Sequence, residues 1–255
     1  MRKIFQILLA AVMLMSCSLA AAVDFGGDYI EVEGIVHPEG QSPNILSRIA
    51  VMDAYRKLAE QIDTIYVSTN STVRNMRDLD EEINARVDTA LRGAKVISVN
   101  REYDGSYHAI VRLYTHGVPK SLSSAVLGEN VVIEDFPEPK VINIHSEIKY
   151  TGLIIDCRGH NLSTAIAPVI KSADGIDIYA YKNIGYQTAT SKGMVAYSTS
   201  VDSGVERAGA APLTIKAVDV SGNCDVVVSA DDANRILSAN KSANFLNNCA
   251  VVLVR

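Results

Sequence analysis

The chain has 255 residues, of which 48% are hydrophobic and 21% charged, with no Trp and a formal charge of −5. That length accommodates one large domain or two modest ones, and the apolar share is enough to build real cores. The acidic balance offers no basic footprint for nucleic acid. Beyond residue 22, no apolar run comes near the roughly 20 residues that a helix needs to cross a bilayer.

Met1-Arg2-Lys3 is a positive start, Ile4 to Met15 is uninterrupted and apolar, and small residues follow. This is the layout of a secretory signal. Residues 1–22 are therefore expected to be a signal peptide, and the protein to be exported to the periplasm or to an outer-membrane-associated place in the cell envelope. Two processing routes stay open. Ala20-Ala21-Ala22 is a small-x-small site that would leave Val23 first, while Leu14-Met15-Ser16-Cys17 resembles a lipobox, with Met15 departing from the usual residue. A lipidated Cys17 would anchor the protein to a membrane by acyl chains.

Tyr29 to Val36 sets Ile30, Val32 and Ile35 against Glu31 and Glu33, which predicts a half-buried strand. After the turn-rich 37–43, Asn44 is expected to cap a helix with an apolar stripe through Ile45, Ile49, Met52, Tyr55, Ala59 and Ile62. Ile65 to Thr69 is a short β-prone run. Asp78 to Arg92 predicts a second helix, with Leu79, Ile83, Val87 and Leu91 as its stripe. Asp80, Glu81 and Glu82 sit in its first turn, where the dipole favours acids, and Gly93 is a left-handed stop. Ala94 to Tyr103 and Tyr107 to Thr115 form a hairpin around Asp104-Gly105, read as a two-residue turn. Residues 23–117 thus make one unit ordered strand, helix, helix, hairpin. Residues 118–149 read as a linker, with a candidate edge strand from Val141 to Ile148.

The second domain, 150–255, opens on a buried strand, Tyr150 to Asp156, followed by the loop Cys157-Arg158-Gly159-His160. Strands are expected at Val169-Ile170, at Ile176 to Tyr181 after the turn Ala173-Asp174-Gly175, at Pro212 to Val220 and from Asp225. Residues 185–211 are assigned to loops and weak strands. Ser229 caps a helix running to Phe245 or Leu246, with Asp232 completing a capping-box-like arrangement. Ala250 to Val254 closes a strand–helix–strand unit, which normally joins parallel strands. The expected class is α+β: an N-terminal β-α-α-β-β domain with an antiparallel hairpin, then a mixed α/β domain.

Residues 29–117 resemble the domain shared by the twenty-kilodalton bacterial lipoprotein (Lpp-type) family and the N-terminal part of flagellar assembly protein T. The residues that carry the likeness are Val32-Glu33-Gly34, the run Arg48 to Glu60, Gly93-Ala94-Lys95-Val96 and Asp104-Gly105-Ser106-Tyr107. Ile49 and Val51 stand where small residues are common. Residues 150–255 look like a domain that often accompanies it in exported proteins, on Thr151 to Gly159, Pro212 to Ala217 and Ser229 to Ala233; Cys157 stands where relatives usually carry Ala. The resemblance implies an envelope-located, non-catalytic accessory role.

Asp156, Arg158 and His160 follow a strand, where open α/β sheets often place ligands. One reading makes His160 a general base oriented by Asp156. The other is an Arg158–Asp156 pair in a strand-end turn, with no nucleophile or metal spacing beside it. The helix start at Ser229 has free N–H groups, but Asp231 and Asp232 would repel an anion. His37, His108, His116 and His145 lack ligand spacing, so no metal and no cofactor is expected. Cys224 and Cys249 precede the two strands of the closing unit and would bridge if those strands were neighbours; the alternative is three buried thiols, with Cys157. The expected function is a non-catalytic exported envelope protein, acting as a structural or interaction module that binds other envelope proteins, the wall or a second copy. The alternative is a periplasmic small-ligand-binding or hydrolytic protein using the Asp156–His160 loop.

Overall fold

The computed structural model describes residue 25 and residues 27–140 and 149–255. The expected signal peptide, Cys17, Val23, His145 and the strand from Val141 to Ile148 lie outside the described residues. The class is α+β, as the element pattern predicts.

Strand β1 (Tyr29–Val36) alternates exposed and buried residues. Helix α1 (Pro43–Ile62) starts earlier than expected: Ser42 is its N-cap and Pro43 its first residue, a position where the missing N–H costs nothing. Its buried face is Leu46, Ala50, Ala54, Leu58 and Ile62. The stripe expected through Ile45, Ile49 and Met52 points outward instead, with Met52 at 70% exposure. Close approach decides between the two rows. An added Cβ on Gly34 would sit 2.1 Å from Ala50 O and 2.3 Å from Ala54 N. Only a row of small side chains lets the helix lie that near the strand, and tight packing outweighs the larger apolar area of the other row.

A short hairpin follows, β2 (Tyr66–Ser68) with β3 (Ser71–Thr72). The single helix expected from Asp78 to Arg92 is two, α2 (Val73–Leu79) and α3 (Glu81–Arg92). They break at Asp80, whose extended backbone (φ −141°) turns its carboxylate onto the N–H groups of Glu82 and Ile83. Asp80 therefore caps rather than sitting in the first turn. Ile83 and Val87 are buried as expected, but Leu79, at the break, is 88% exposed. Gly93 has φ −84° and is no left-handed stop; a Cβ there would press on Ala90 O and Lys120, each at 3.2 Å.

Strands β4 (Lys95–Arg101) and β5 (Tyr107–Tyr114) pair antiparallel. Their loop is longer than the two residues expected: Glu102 N–H donates to Ser106 O at 2.9 Å and Gly105 closes the turn at φ +86°. This is the hairpin type that ends on a left-handed glycine. The sheet order is β1-β5-β4.

The segment expected as a linker is packed at Leu122–Leu127 and around Phe136, with an exposed stretch from 128 to 135 between them. Helix α4 (Leu122–Val126) buries Leu122, Ala125 and Val126. Glu134 N–H donates to Lys182 O at 2.8 Å, and the Phe136 ring stacks on Tyr179 with centroids 6.4 Å apart. Its few apolar residues are too scattered to signal this in sequence.

The second half contains, in order, β6 (Gly152–Asp156), β7 (Ile170–Ser172), β8 (Asp177–Tyr179), α5 (Tyr186–Lys192), β9 (Ala196–Ser198), α6 (Val205–Ala208), β10 (Pro212–Lys216), β11 (Asp219–Ser221), β12 (Asp225–Val228), α7 (Ala230–Ala243) and β13 (Val251–Val254). They build two sheets, an all-parallel β10-β6-β13-β9 and a mixed β11-β12-β7-β8. The stretch 185–211, expected as loops and weak strands, supplies α5, α6 and β9. Ser229 caps α7 by accepting from Asp232 N–H at 3.1 Å; the helix ends short of Phe245, at a left-handed Asn244 (φ 54°).

The closing strand–helix–strand unit is β12, α7 and β13, but its strands belong to different sheets. The premise for a Cys224–Cys249 bridge therefore fails. Cys157, Cys224 and Cys249 are free and buried, and burial pushes the thiols of Cys157 and Cys224 up to about 12.

One apolar core runs through both halves and includes Leu58, Val111, Leu122, Ile155, Ile178 and Phe245. The β2–β3 hairpin zips the halves together. Ile166 and Ala167 N–H donate to Tyr66 and Val67 carbonyls at 2.9 and 2.8 Å. Thr69 Oγ1 donates to Ser221 O and accepts from Asn223 N–H, both at 3.1 Å.

Candidate functional site

The two outer strands of the first sheet are finished differently. On β1, side chains of α1 reach over the edge. Asp53 Oδ2 accepts from Ile35 N–H at 3.1 Å and Lys57 Nζ donates to Glu33 O at 3.1 Å. Lys57 and Arg56 each pair with Asp53 at 2.8 Å. Those bonds, the Lys57 one foremost, hold the Asp53 carboxyl down at about 2, against an ordinary 3.8. A depressed carboxylate stabilises the fold above its unfolded value and loses that contribution as pH falls through the folded one. The stability gap between wild type and Asp53→Asn, read from urea midpoints, is therefore expected to be full at pH 7 and to close between pH 4 and about 2. A gap independent of pH would show that the Asp53 charge is not its source.

At β4, Tyr55 of α1 donates its hydroxyl to Ala94 O at 2.7 Å just before the strand, and among the described residues no side chain of α1 bonds the backbone of Lys95–Arg101. Helix α1 lies over β1 and β5, so the far strand overhangs. Val96 and Val99 stand opposite Val111 and Ala109. The inner pair is fully buried, yet Val96 and Val99 are 44% and 38% exposed, and Ile97 between them 45%. The register shifts between Val96 and Ser98, a bulge. Contiguous exposed apolar side chains on an edge strand are what native folds usually remove.

In the second half, Asp156 ends β6 between Lys216 of β10 and Val254 of β13. Arg158 binds it in a fork, Nε to Oδ1 at 2.8 Å and an Nη to Oδ2 at 2.6 Å. That pair holds the Asp156 carboxyl at about 2. His160 instead closes the turn through its backbone, N–H to Cys157 O at 3.1 Å. The structure thus brings Asp156 and Arg158 together, and both Asp156 oxygens face the guanidinium rather than the imidazole. At the start of α7, Ser229 and Asp232 bond each other, Oγ to Oδ2 at 2.8 Å, which leaves that helix end capped by its own acid.

A cleft of about 560 Å³ opens elsewhere, lined by Asp28, Ser198, Ser203, Glu206, Arg207 and Arg255 among others. Residues 152–255 match the family model for the second domain of Treponema pallidum Tp0624. The matched stretch holds the whole parallel sheet, the strand-end ion pair and every named cleft residue but Asp28. Among curated proteins there is no match. The cleft's Ser hydroxyls are turned on one another: Ser198 Oγ to Ser203 Oγ at 2.5 Å and Ser200 Oγ to Ser203 Oγ at 2.8 Å. Their other bonds among the described residues are to backbone, so no base is positioned to activate them. Arg207 acts as a brace, donating to the carbonyls of Lys192, Gly193 and Cys249 at 2.5, 2.7 and 2.7 Å. With Asp28 and Glu206 beside the two arginines, the cleft carries no dominant charge.

Among the described residues, no three His, Cys, Asp or Glu side chains are grouped to hold a metal ion, and no helix is long and apolar enough to cross a membrane. Sequence reasoning marked Val96 only as part of the family likeness, and it did not single out Val99, Ser198, Ser203 or Arg207. Val96 and Val99 sit in a strand expected as half of a hairpin, and the placement of α1 over β1 and β5 leaves them exposed. The Ser-rich run 198–203 reads as a plain loop.

Proposed function

We propose that the protein is a non-catalytic interaction module of the bacterial cell envelope, whose working surface is the uncovered side of β4. The observation that carries this is the contrast within one sheet: α1 seals the β1 edge with Asp53 and Lys57, while Val96, Ile97 and Val99 on β4 are left to solvent. An edge of this kind accepts a further segment through main-chain bonds and side-chain contacts. Export is supported by Met1-Arg2-Lys3 and the apolar run to Met15, and by the likeness of residues 29–117 to an envelope lipoprotein family. Against a hydrolytic role stand the engaged Asp156 and the serine hydroxyls without a base.

The test places a photo-crosslinking residue at Val99 in the full chain in its own cells, with Lys216 as an exposed control. The expected result is an adduct of discrete mass in the envelope fraction from position 99 and none from 216. A chain found in the cytosol with Met1 still attached, or no adduct from 99, overturns the proposal.

A further inference from the structure

The β4 surface is bracketed by cations. Lys95 and Arg101 stand at its two ends, both exposed, and neither forms an ion pair among the described residues. The same chain carries a second exposed apolar run with the opposite brackets. Val131, Val132 and Ile133 are 37%, 84% and 51% exposed and lie outside helix and strand. Glu129 precedes them; Glu134 and Asp135 follow. Glu134 pairs with Lys182 at 3.3 Å, and Asp135 is exposed.

Each surface is poorly suited to a copy of itself. Two β4 strands laid antiparallel put Lys95 against Arg101, and like charges facing each other across strands destabilise the pair. The bulge at Ile97 further twists that edge away from a flat partner. Two copies of the acidic run repel in the same way. Laid against each other, the two surfaces agree. Lys95 to Arg101 spans the same number of residues as Glu129 to Asp135. An antiparallel alignment therefore brings the Lys95 end of β4 to the Asp135 end of the run and the Arg101 end to Glu129, with the apolar residues of both between them and the pairing irregular at the Ile97 bulge.

We propose that a second copy of this chain is the partner: residues 129–135 of one molecule dock on β4 of the next. This rests on the interaction reading above and names its occupant. The two faces differ, so the contact closes as a two-fold dimer where both copies dock reciprocally and otherwise builds rings or open chains. Its ion pairs lie at the rim, so association is expected to weaken as salt is raised.

The test measures the mass of the purified full chain by sedimentation over a concentration series at low and high salt. The expected result is a mass that climbs above one protomer at low salt and falls back toward one protomer at high salt. Lys95→Glu and Asp135→Lys are each expected to weaken association about tenfold or more, and the double variant, which swaps the charges, to restore most of it. A wild type that stays monomeric, or single variants that associate like wild type, overturns the proposal. A monomer in solution that still gives a Val99 adduct of another mass in cells would defeat this inference while leaving the interaction reading standing.

Discussion

Gly34→Ala is expected to destabilise the protein by about 3 kcal/mol or more, at the upper end for an overpacked site. The added methyl would lie 2.1 Å from Ala50 O, 2.3 Å from Ala54 N and 2.9 Å from Ala54 Cα. All three are backbone atoms of α1, so no rotamer change relieves the clash and the whole helix must withdraw from β1. Withdrawal loosens Ala54 and Leu58 in the core, and it pulls Asp53 and Lys57 from the edge groups they satisfy. Because one core joins both halves, the loss should appear in a single cooperative transition, with Tm lowered by roughly 6–12 °C for a chain of this size. Gly27→Ala is the control: nothing lies within 4 Å of its Cβ position, and its Tm should move little. A Gly34→Ala protein that melts with wild type would mean the helix does not approach the strand this closely.

Lys171→Met is expected to cost about 3 kcal/mol. Asp225 is 2% exposed at the start of β12, with Oδ1 accepting from Val169 N–H at 3.1 Å and Oδ2 paired with Lys171 Nζ at 2.9 Å. Removing the ammonium leaves a buried carboxylate with one backbone donor, and the value taken is the low end of the range because the Lys171 side chain is 27% exposed. The deficit against wild type is read from urea midpoints at pH 7. Adding Asp225→Asn to Lys171→Met should recover part of the loss, since no unpaired charge remains. A double variant no more stable than Lys171→Met would assign the loss to packing of the lysine stem.

Much of the fold is legible in the chain itself. The alternation from Tyr29 to Val36, the caps at Ser229 and Asp232, the apolar run into Asp156 and the turn at Asp104-Gly105 are local signals set within a few residues, and they recur in the structure. The residues that carry the family resemblance also cooperate in space. Gly34 admits α1, Ala54 and Leu58 press on the core, Asp53 holds Ile35 N–H, and Arg56 pairs with Asp53. Sequence spacing records these positions without saying what they do together.

What sequence could not give is what depends on a neighbour. Periodicity pointed to the stripe through Ile45, Ile49 and Met52 on α1, and the shape of β1 at Gly34 buries the row through Ala50 and Ala54 instead. The pairing of β12 and β13 depends on which sheet each strand joins, which neither strand encodes alone, and on that the fate of Cys224 and Cys249 turns. Asp156, Arg158 and His160 stand together in the chain, but bond geometry joins the first two and omits the third. Local order was set by side-chain pattern and backbone chemistry, which act over a turn or a strand. The burial of one row, the exposure of Val96 and Val99, and the partnering of strands were set by long-range packing, where steric fit between distant segments outweighs local preference.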